Sequence, residues 1–441
     1  MQRCLLVNPV SNGNILASFL RSRDVECVGL IEMDKVAQMP PLSGKQRSVI
    51  DLDLYGAFYT SVDELLAAEP SGFAAVMAGS ENGVELADAL SARFGVRGND
   101  PSSSTLRRSK WAMQLRLQER GLSCIQTKVL DQREISDEGV FASSNGYVLK
   151  PVDAAGAENV IFCRNIGDLS CKLSSLPWQS YSTTWTRMSS FLLQEYIPGP
   201  EYVVDLVAAE SSFVVTSVCC YTKLSDCGVS GRPFVKLYST TLDPSDDRLR
   251  HIVAYAKAAA SALEIVNGPA HIEIIDGPAG PVLIDVGARL HGTGAPRWFQ
   301  ACYRNDLLDS VYKCYFANGR GMRNAELAQP GIKSYVAAER AGYFGGLSPD
   351  DNDRLAAVSS MLFYQILVED CAEYKPTIDL LTTSAHGYFA CSDDEVLRAD
   401  VTEFEDTMSL HFGEGLKSKV ALDVAMSQIT QRRAYISRNG D

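Results

Sequence analysis

The sequence predicts an α/β protein with a further α+β region at its C-terminal end. Three observations carry this reading. Apolar strand-like runs alternate with amphipathic helix-like runs over residues 1–100, strand pairs joined by turn residues follow, and beyond about residue 330 the pattern changes to glycine-punctuated strands closed by a helix. The 441 residues are 46% hydrophobic and 22% charged, a composition that buries a sizeable core in several units. The net charge is −13 with no run of lysines or arginines, which disfavours a nucleic-acid backbone or an anionic membrane and favours small-molecule partners.

The first element, RCLLVNPV, reads as a strand that breaks at Asn8-Pro9. It is too short for a membrane span or the apolar core of a signal peptide, and no small-residue cleavage site follows. NILASFLRSR reads as a helix, VECVGLIE as a second strand, and GFAAVMAG as a strand leading into the helix GVELADALSARFG. The Ser11-Asn12-Gly13 turn stands where a helix start binds phosphate, although the full GxGxxG pattern is absent. Glu81 and Asn82 directly follow a strand, on the edge where open α/β sheets take ligands, and are secondary site candidates.

Periodicity then predicts one helix from Ser104 to Arg120, with Gly121 at its C′ position and Lys110 on it. In NGYVLKPVDAAGAENVIFC an apolar strand ends at Lys150-Pro151, and Pro151 favours an extended Lys150. The small residues that follow, Ala154, Ala155, Gly156 and Ala157, let backbone N–H groups approach phosphate oxygens. An ordinary hairpin carrying a basic residue is the alternative. SSFLLQEYIPGPEYVVDLVAAE is two strands with a hinge-like crossing at Pro198-Gly199-Pro200, flanked by Glu195 and Glu201. These acids are placed to accept from an adenine amino group or ribose hydroxyls; two solvated turn acids would look the same.

A polar loop spans residues 224–233, and DDRLRHIVAYAKAAASALEI predicts a core helix near 245–264. Next comes HIEIIDGPAGPVLIDVGAR, two β-rich runs around the turn DGPAG. With the turn near Pro278 or Ala279, Glu273 and Asp285 face each other across the hairpin, an arrangement that like charges destabilise. A hard divalent cation such as Mg²⁺ removes the conflict and is usually shared with substrate phosphates; two exposed acids on a wet sheet face are the alternative. His271 shares a face with Glu273 by strand alternation. Beyond residue 330, IKSYVAAERAGYFGG, SMLFYQILV and GYFACSD read as strands and VTEFEDTMSLHFGEGL as a helix. The twelve cysteines are scattered, mostly in apolar runs, with no CxxC, and read as buried free thiols of a reducing cytoplasm.

Taken in order, Lys110, Lys150 with its small-residue loop, QEYIPGPEYVVD, HIEII and LIDVGAR resemble the ATP-grasp superfamily, most of all its carboxylate–amine ligases of the bacterial L-amino acid ligase type. The resemblance covers roughly residues 1–320. It implies an ATP-grasp fold: a Rossmann-like domain at 1–103, a small subdomain at 104–190, a large subdomain at 191–325, and a lid-like α+β domain at 326–441. It implies ATP and Mg²⁺, with Mn²⁺ as a substitute, and a homodimer as the family's habit.

The resemblance also assigns roles. Lys110, Lys150, Ala155 and Gly156 contact ATP phosphates, Glu195, Tyr196 and Ile197 hold adenine, and Glu201 binds ribose. Glu273 and Asp285 hold the metal, Arg289 steadies the transferred phosphate and the later oxyanion, and His271, His291, Gly292, Thr293 and Gly294 meet the carboxylate substrate. One departure stands out: the family ending Glu-x-Asn-x-Arg is replaced by Asp285-Val286-Gly287-Ala288-Arg289, with no Asn ligand. The implied activity is formation of a dipeptide through an acyl phosphate, in biosynthesis of a specialised dipeptide such as one carrying a tabtoxin-type amino acid. The alternatives are a ligase using a non-amino-acid amine or closing an intramolecular amide, a carboxylase-like component, and a nucleotide-binding protein without turnover. The loop at 222–236 and the third region are the segments expected to close over the site.

Overall fold

A computed structural model describes residues 1–37, 50–70, 72–133, 140–229, 231–413, 415 and 420–429. The N-terminal part is a four-stranded parallel sheet of order β3-β2-β1-β4, made of β1 (Gln2–Val7), β2 (Val25–Leu30), β3 (Ala57–Tyr59) and β4 (Ala75–Ala78). The helices α1 (Gly13–Arg21), α2 (Met33–Val36), α3 (Val62–Ala68) and α4 (Val84–Phe94) connect and follow these strands. The central strands are buried nearly throughout, as a parallel sheet covered by helices requires.

The single helix expected at 104–120 is broken in two. A 3-10 segment, Pro101–Arg107, ends where Arg107 is held in the core by Asp88, and α5 (Lys110–Glu119) starts afresh with Ser109 accepting from the Ala112 N–H. Ser109 makes the better N-cap, so Lys110 becomes the first residue of its helix.

A second four-stranded sheet, of order β5-β8-β6-β7, contains β5 (Thr127–Leu130), β6 (Tyr147–Pro151), β7 (Ile161–Cys163) and β8 (Phe191–Glu195), backed by α6 (Ile166–Ser175). After Glu195 the chain crosses to an eight-stranded sheet. This begins with β9 (Glu201–Ala209), β10 (Ser212–Lys223), β11 (Lys236–Leu242), β12 (Gly268–Gly277) and β13 (Gly280–Gly287), with α7 (Arg250–Ala262) packed on it. The short helices α8 (Ala295–Cys302) and α9 (Leu307–Phe316) lie on its other side, with a small bridge between β14 (Tyr303–Arg304) and β15 (Glu326–Leu327).

The C-terminal region adds β16 (Gly331–Val336), β17 (Gly342–Phe344), α10 (Pro349–Ala356), β18 (Met361–Ile366), β19 (Ala372–Tyr374), β20 (Ala385–Ala390) and α11 (Asp394–Phe412). The sheet order is β13-β12-β9-β10-β11-β16-β20-β18, so three C-terminal strands extend the sheet that carries the acidic hairpin. This region is therefore continuous with the large subdomain through β11–β16 pairing, and it also reaches the small-residue loop, where the Leu380 N–H donates to the Gly156 carbonyl. The last residues of the expected helix VTEFEDTMSLHFGEGL include Glu414 and Leu416, which lie outside the described residues, as does Ser230 of the 222–236 loop.

All twelve cysteines are free. Cys219 and Cys220 are both buried, as expected, but Cys171 and Cys371 are exposed. Those two sit on the outer side of α6 and in a turn before β19, where no apolar layer covers them. Among the described residues no helix is long and apolar enough to cross a membrane.

Candidate functional site

A cleft opens between the β5-β8-β6-β7 sheet and the large sheet. All the residues assigned to the site from sequence face it except Ala155 and Gly294. The Ala155 carbonyl closes a turn by accepting from the Glu158 N–H, and its neighbours Ala154, Gly156 and Ala157 line the cleft instead. Gly294 sits at φ +77° before α8, close against Phe363 and Tyr388, so it turns the chain away from the cleft.

The acidic hairpin folds as its turn chemistry predicts: Pro278 and Ala279 lie at the tip, and Glu273 and Asp285 are direct cross-strand partners. Each acid has its own ammonium. Lys236 Nζ lies 3.3 Å from Glu273 Oε1, and Lys110 Nζ lies 2.9 Å from Asp285 Oδ2. Burial raises the pKa of both carboxyls. For Glu273 the adjacent Lys236 and His271 outweigh burial and hold it well below the usual range, whereas Asp285 stays above it, because Glu273 and Glu81 reinforce burial against Lys110. Two like charges placed face to face titrate apart in this way.

On the facing wall, Lys110 Nζ also donates to the Ala154 carbonyl at 2.7 Å and Lys150 Nζ to the Ile284 carbonyl at 3.1 Å. Burial disfavours both ammoniums. Asp285 restores Lys110 to above its ordinary value, while Lys150, repelled by Lys110, is pushed down to about 8. Gly156 and Ala157 follow at φ +70° and +60°, so successive peptide planes turn over beside these lysines.

At the other end, the chain crosses between sheets through Tyr196 and Ile197. The Tyr196 N–H donates to the Gly146 carbonyl and Glu195 Oε1 accepts from the Gln126 N–H. Gly199 is at φ +150°, and a side chain there would run into the Asp276 carbonyl. Glu201 stands 3.0 Å from Lys223 and 3.8 Å from Lys236, so its charge is ion-paired within the cleft.

The loop after β13 is tied from several directions. Arg289 Nε meets Glu81 Oε2 at 2.6 Å, and Glu81 also takes Arg108 at 2.6 Å. Burial opposes this, but Arg289 and Arg108 win and hold the Glu81 carboxyl at about 2. Glu81 was a candidate for ligand contact; the structure makes it the anchor of Arg289. Its neighbour Asn82 donates to the Thr183 carbonyl and likewise does not face the cleft. The side chain of Asn12, in the turn considered for phosphate, bonds instead to the His291 carbonyl and the Gly294 N–H. Gly287 has a steric reason: a Cβ there would lie 2.6 Å from Glu81 Oε2 and 3.2 Å from the Arg289 guanidinium. A side chain there requires the ends of Glu81 and Arg289 to shift.

His271 Nδ1 and His291 Nδ1 each lie 2.9 Å from a different oxygen of Asp205, which also accepts from Ser217 Oγ. Both histidines and Asp205 are buried. Asp205 was not anticipated, nor were Lys223, Lys236, Tyr221, Tyr335 and Phe234, which also line the cleft or support it. A signal existed for Asp205, a lone acid inside the apolar run EYVVDLVAA, since a buried charge requires partners. Lys236 was legible in the same sense, a single ammonium at the start of a buried strand.

Residues 143–296 match the ATP-grasp domain family. The chain is 27% identical over 257 residues to dapdiamide A synthase of Enterobacter agglomerans, a match covering 57% of this chain and 59% of that relative, so the chain spans little over half the relative's length. Its fold superposes on an L-amino acid ligase from Bacillus licheniformis with a TM-score of 0.71 at 14% identity, covering 92% of this chain and 98% of the other. For an N5-carboxyaminoimidazole ribonucleotide synthetase from Thermotoga maritima the TM-score is 0.63 at 13% identity, over 92% and 98%. The sheet order, the cleft between two sheets and these matches agree: the chain carries an ATP-grasp domain and has the ATP-grasp fold.

Proposed function

We propose that this protein is an ATP-dependent carboxylate–amine ligase that joins the carboxylate of one amino acid to the amine of another. The observation that carries the reading is the Glu273–Asp285 pair facing Lys110, Lys150 and Lys236 in one cleft. Two carboxylates whose charges conflict, each neutralised by a lysine, fit a divalent cation: Mg²⁺ would take the carboxylate oxygens and release the ammoniums to phosphate. Bound there, the metal would supply charge neutralisation for ATP. Lys110 and Lys150 would contact ATP phosphates, with the Gly156 backbone over them, and the Glu195–Ile197 segment would border adenine. Glu201, held by Lys223 and Lys236, would reach the ribose.

The substrate carboxylate would enter beside His291, Gly292 and Thr293 and attack the γ-phosphate, giving ADP and an acyl phosphate. Arg289, aimed by Glu81, would stabilise the transferred phosphoryl group and the later oxyanion. The amine of the second substrate would then displace phosphate. The similarity to dapdiamide A synthase, a dipeptide-type ligase, supports amino-acid substrates. The reading as a silent nucleotide binder rested on Gly287, and the Glu81–Arg289 contact gives that glycine a different reason.

The test is ADP release with Mg-ATP across a matrix of amino-acid pairs, with mass spectrometry on each positive. A product weighing the two substrates less water is the expected result. ATP binding with no pair-dependent ADP release would overturn the reading.

A further inference from the structure

The amine that attacks an acyl phosphate arrives as an ammonium at neutral pH and has to lose a proton. Of the carboxylates in the cleft, Glu273 and Asp285 face the proposed metal position, Glu201 is bound to two lysines, Glu158 accepts from the Thr183 N–H and hydroxyl, and Glu195 accepts from the Gln126 N–H. His271 is engaged at both nitrogens, Nδ1 by Asp205 at 2.9 Å and Nε2 by Glu273 at 3.6 Å. His291 differs. Its Nδ1 is held by Asp205, its ring packs edge-on against His271 and Phe299, and it lines the cleft beside Gly292 and Thr293. Among the described residues, Nε2 of His291 has no partner.

We propose that His291 is the proton acceptor for the amine substrate, with Asp205 as its positioning residue; the proposal rests on the ligase reading above. Asp205 is held ionised, because the two histidines outweigh its burial, so it accepts from Nδ1–H and leaves the Nε2 lone pair toward the cleft. The groups that face His291 are Asp205 on β9, His271 on β12 and Lys333 on β16. Burial, His271 and Lys333 lower its pKa to about 4 against the pull of Asp205, so the ring is neutral at neutral pH and would hold an accepted proton only transiently. In the step, His291 Nε2 takes one proton from the ammonium, which frees the nitrogen lone pair to form the C–N bond at the acyl carbon. The C–O bond to phosphate then breaks and the phosphate leaves with its electron pair, taking the second N–H proton, while His291 returns the first to solvent.

The Asp205, His271 and His291 donor atoms lie within 4.8 Å of one another and invite a metal reading. The two Nδ1 positions are satisfied by Asp205 at hydrogen-bond distance and Ser217 fills a further Asp205 lone pair, so this set needs no cation.

The test compares two acceptors in the full-length enzyme with Mg-ATP and the carboxylate substrate: the amino-acid amine, which is protonated at neutral pH, and hydroxylamine, which is not and forms a hydroxamate without a base. In His291→Gln, dipeptide formation should fall on the order of 100-fold while the hydroxamate rate falls far less, so the hydroxamate-to-dipeptide ratio rises. Asp205→Asn, which removes the acceptor for Nδ1–H at constant size, should raise the ratio in the same direction and stands in should His291→Gln fail to fold. An unchanged ratio in either folded variant overturns the proposal. Absence of both products from the wild-type enzyme would instead count against the ligase reading itself.

Discussion

Arg289 and Glu81 are 208 residues apart in sequence and meet at 2.6 Å, joining the loop after the acidic hairpin to the end of the last strand of the N-terminal sheet. Glu81 holds Arg108 as well, and Arg108 in turn makes a two-pronged contact with Asp153 before the small-residue loop. One carboxylate thus couples three segments around the cleft. Glu81→Gln should leave the partly buried Arg289 guanidinium without a carboxylate, Arg108 keeping Asp153, and cost on the order of 3 kcal/mol. With the carboxyl at about 2 against an ordinary 4.5, the unfolded chain binds the extra proton between those values, so this stabilisation is complete above pH 4.5 and lost as pH falls through 2. Thermal unfolding of both proteins from pH 3 to 7 checks it: their gap should narrow toward acid.

Gly287→Asn restores the residue common in the family and should damage this protein. The new side chain must displace Glu81 from Arg289, costing about 1–3 kcal/mol as overpacking does. Turnover should fall with the misplaced guanidinium. Greater activity in the variant would show that Asn is tolerated and that the glycine has another reason.

Glu273→Gln should lower ADP formation on the order of 100-fold or more, by weakening the charge neutralisation that the transferred phosphate needs. The fold should survive, since Lys236 retains Glu201 nearby. Titration with Mg²⁺ after chelation distinguishes the causes: the variant should need more metal for whatever activity remains. Wild-type metal dependence would place the cation elsewhere.

Lys150 is held at about 8 by burial and by Lys110, so its charging opposes folding below the ordinary lysine value of 10.5. Its depressed pKa means the folded protein binds fewer protons than the unfolded chain, and stability is lost as pH falls from 10.5 through 8. Lys150→Met should therefore stabilise the ligand-free protein at pH 7 by about 3 kcal/mol. ATP phosphates favour the charged form, so wild-type affinity for ATP should drop as pH rises past 8, whereas that of the variant should be lower and flatter. Calorimetric titration with ATP across pH 7–9 measures both.

The hairpin shows how far local chemistry reaches. Its turn residues and apolar alternation set the register that places Glu273 opposite Asp285, and Pro151 keeps Lys150 extended at a strand end; each is decided within a few residues, so each was legible in the sequence. The helix break at Ser109 was less so, because the 3.6-residue period continues through it and the burial of Arg107 against Asp88, with Ser109 capping α5, interrupts the helix.

Along the chain, then, patterning set the strands, the turns and the ordered series of lysines, acids and arginine that resembles ATP-grasp enzymes. Folding set which of those charges meet. Arg289 with Glu81, the two histidines on Asp205, and Lys223 and Lys236 on Glu201 come from segments distant in sequence, and the C-terminal strands join the large sheet through β16. The physical reason is range: backbone propensity and side-chain alternation act over a few residues, whereas a buried charge is satisfied by whichever partner the packing of whole sheets brings within about 3 Å.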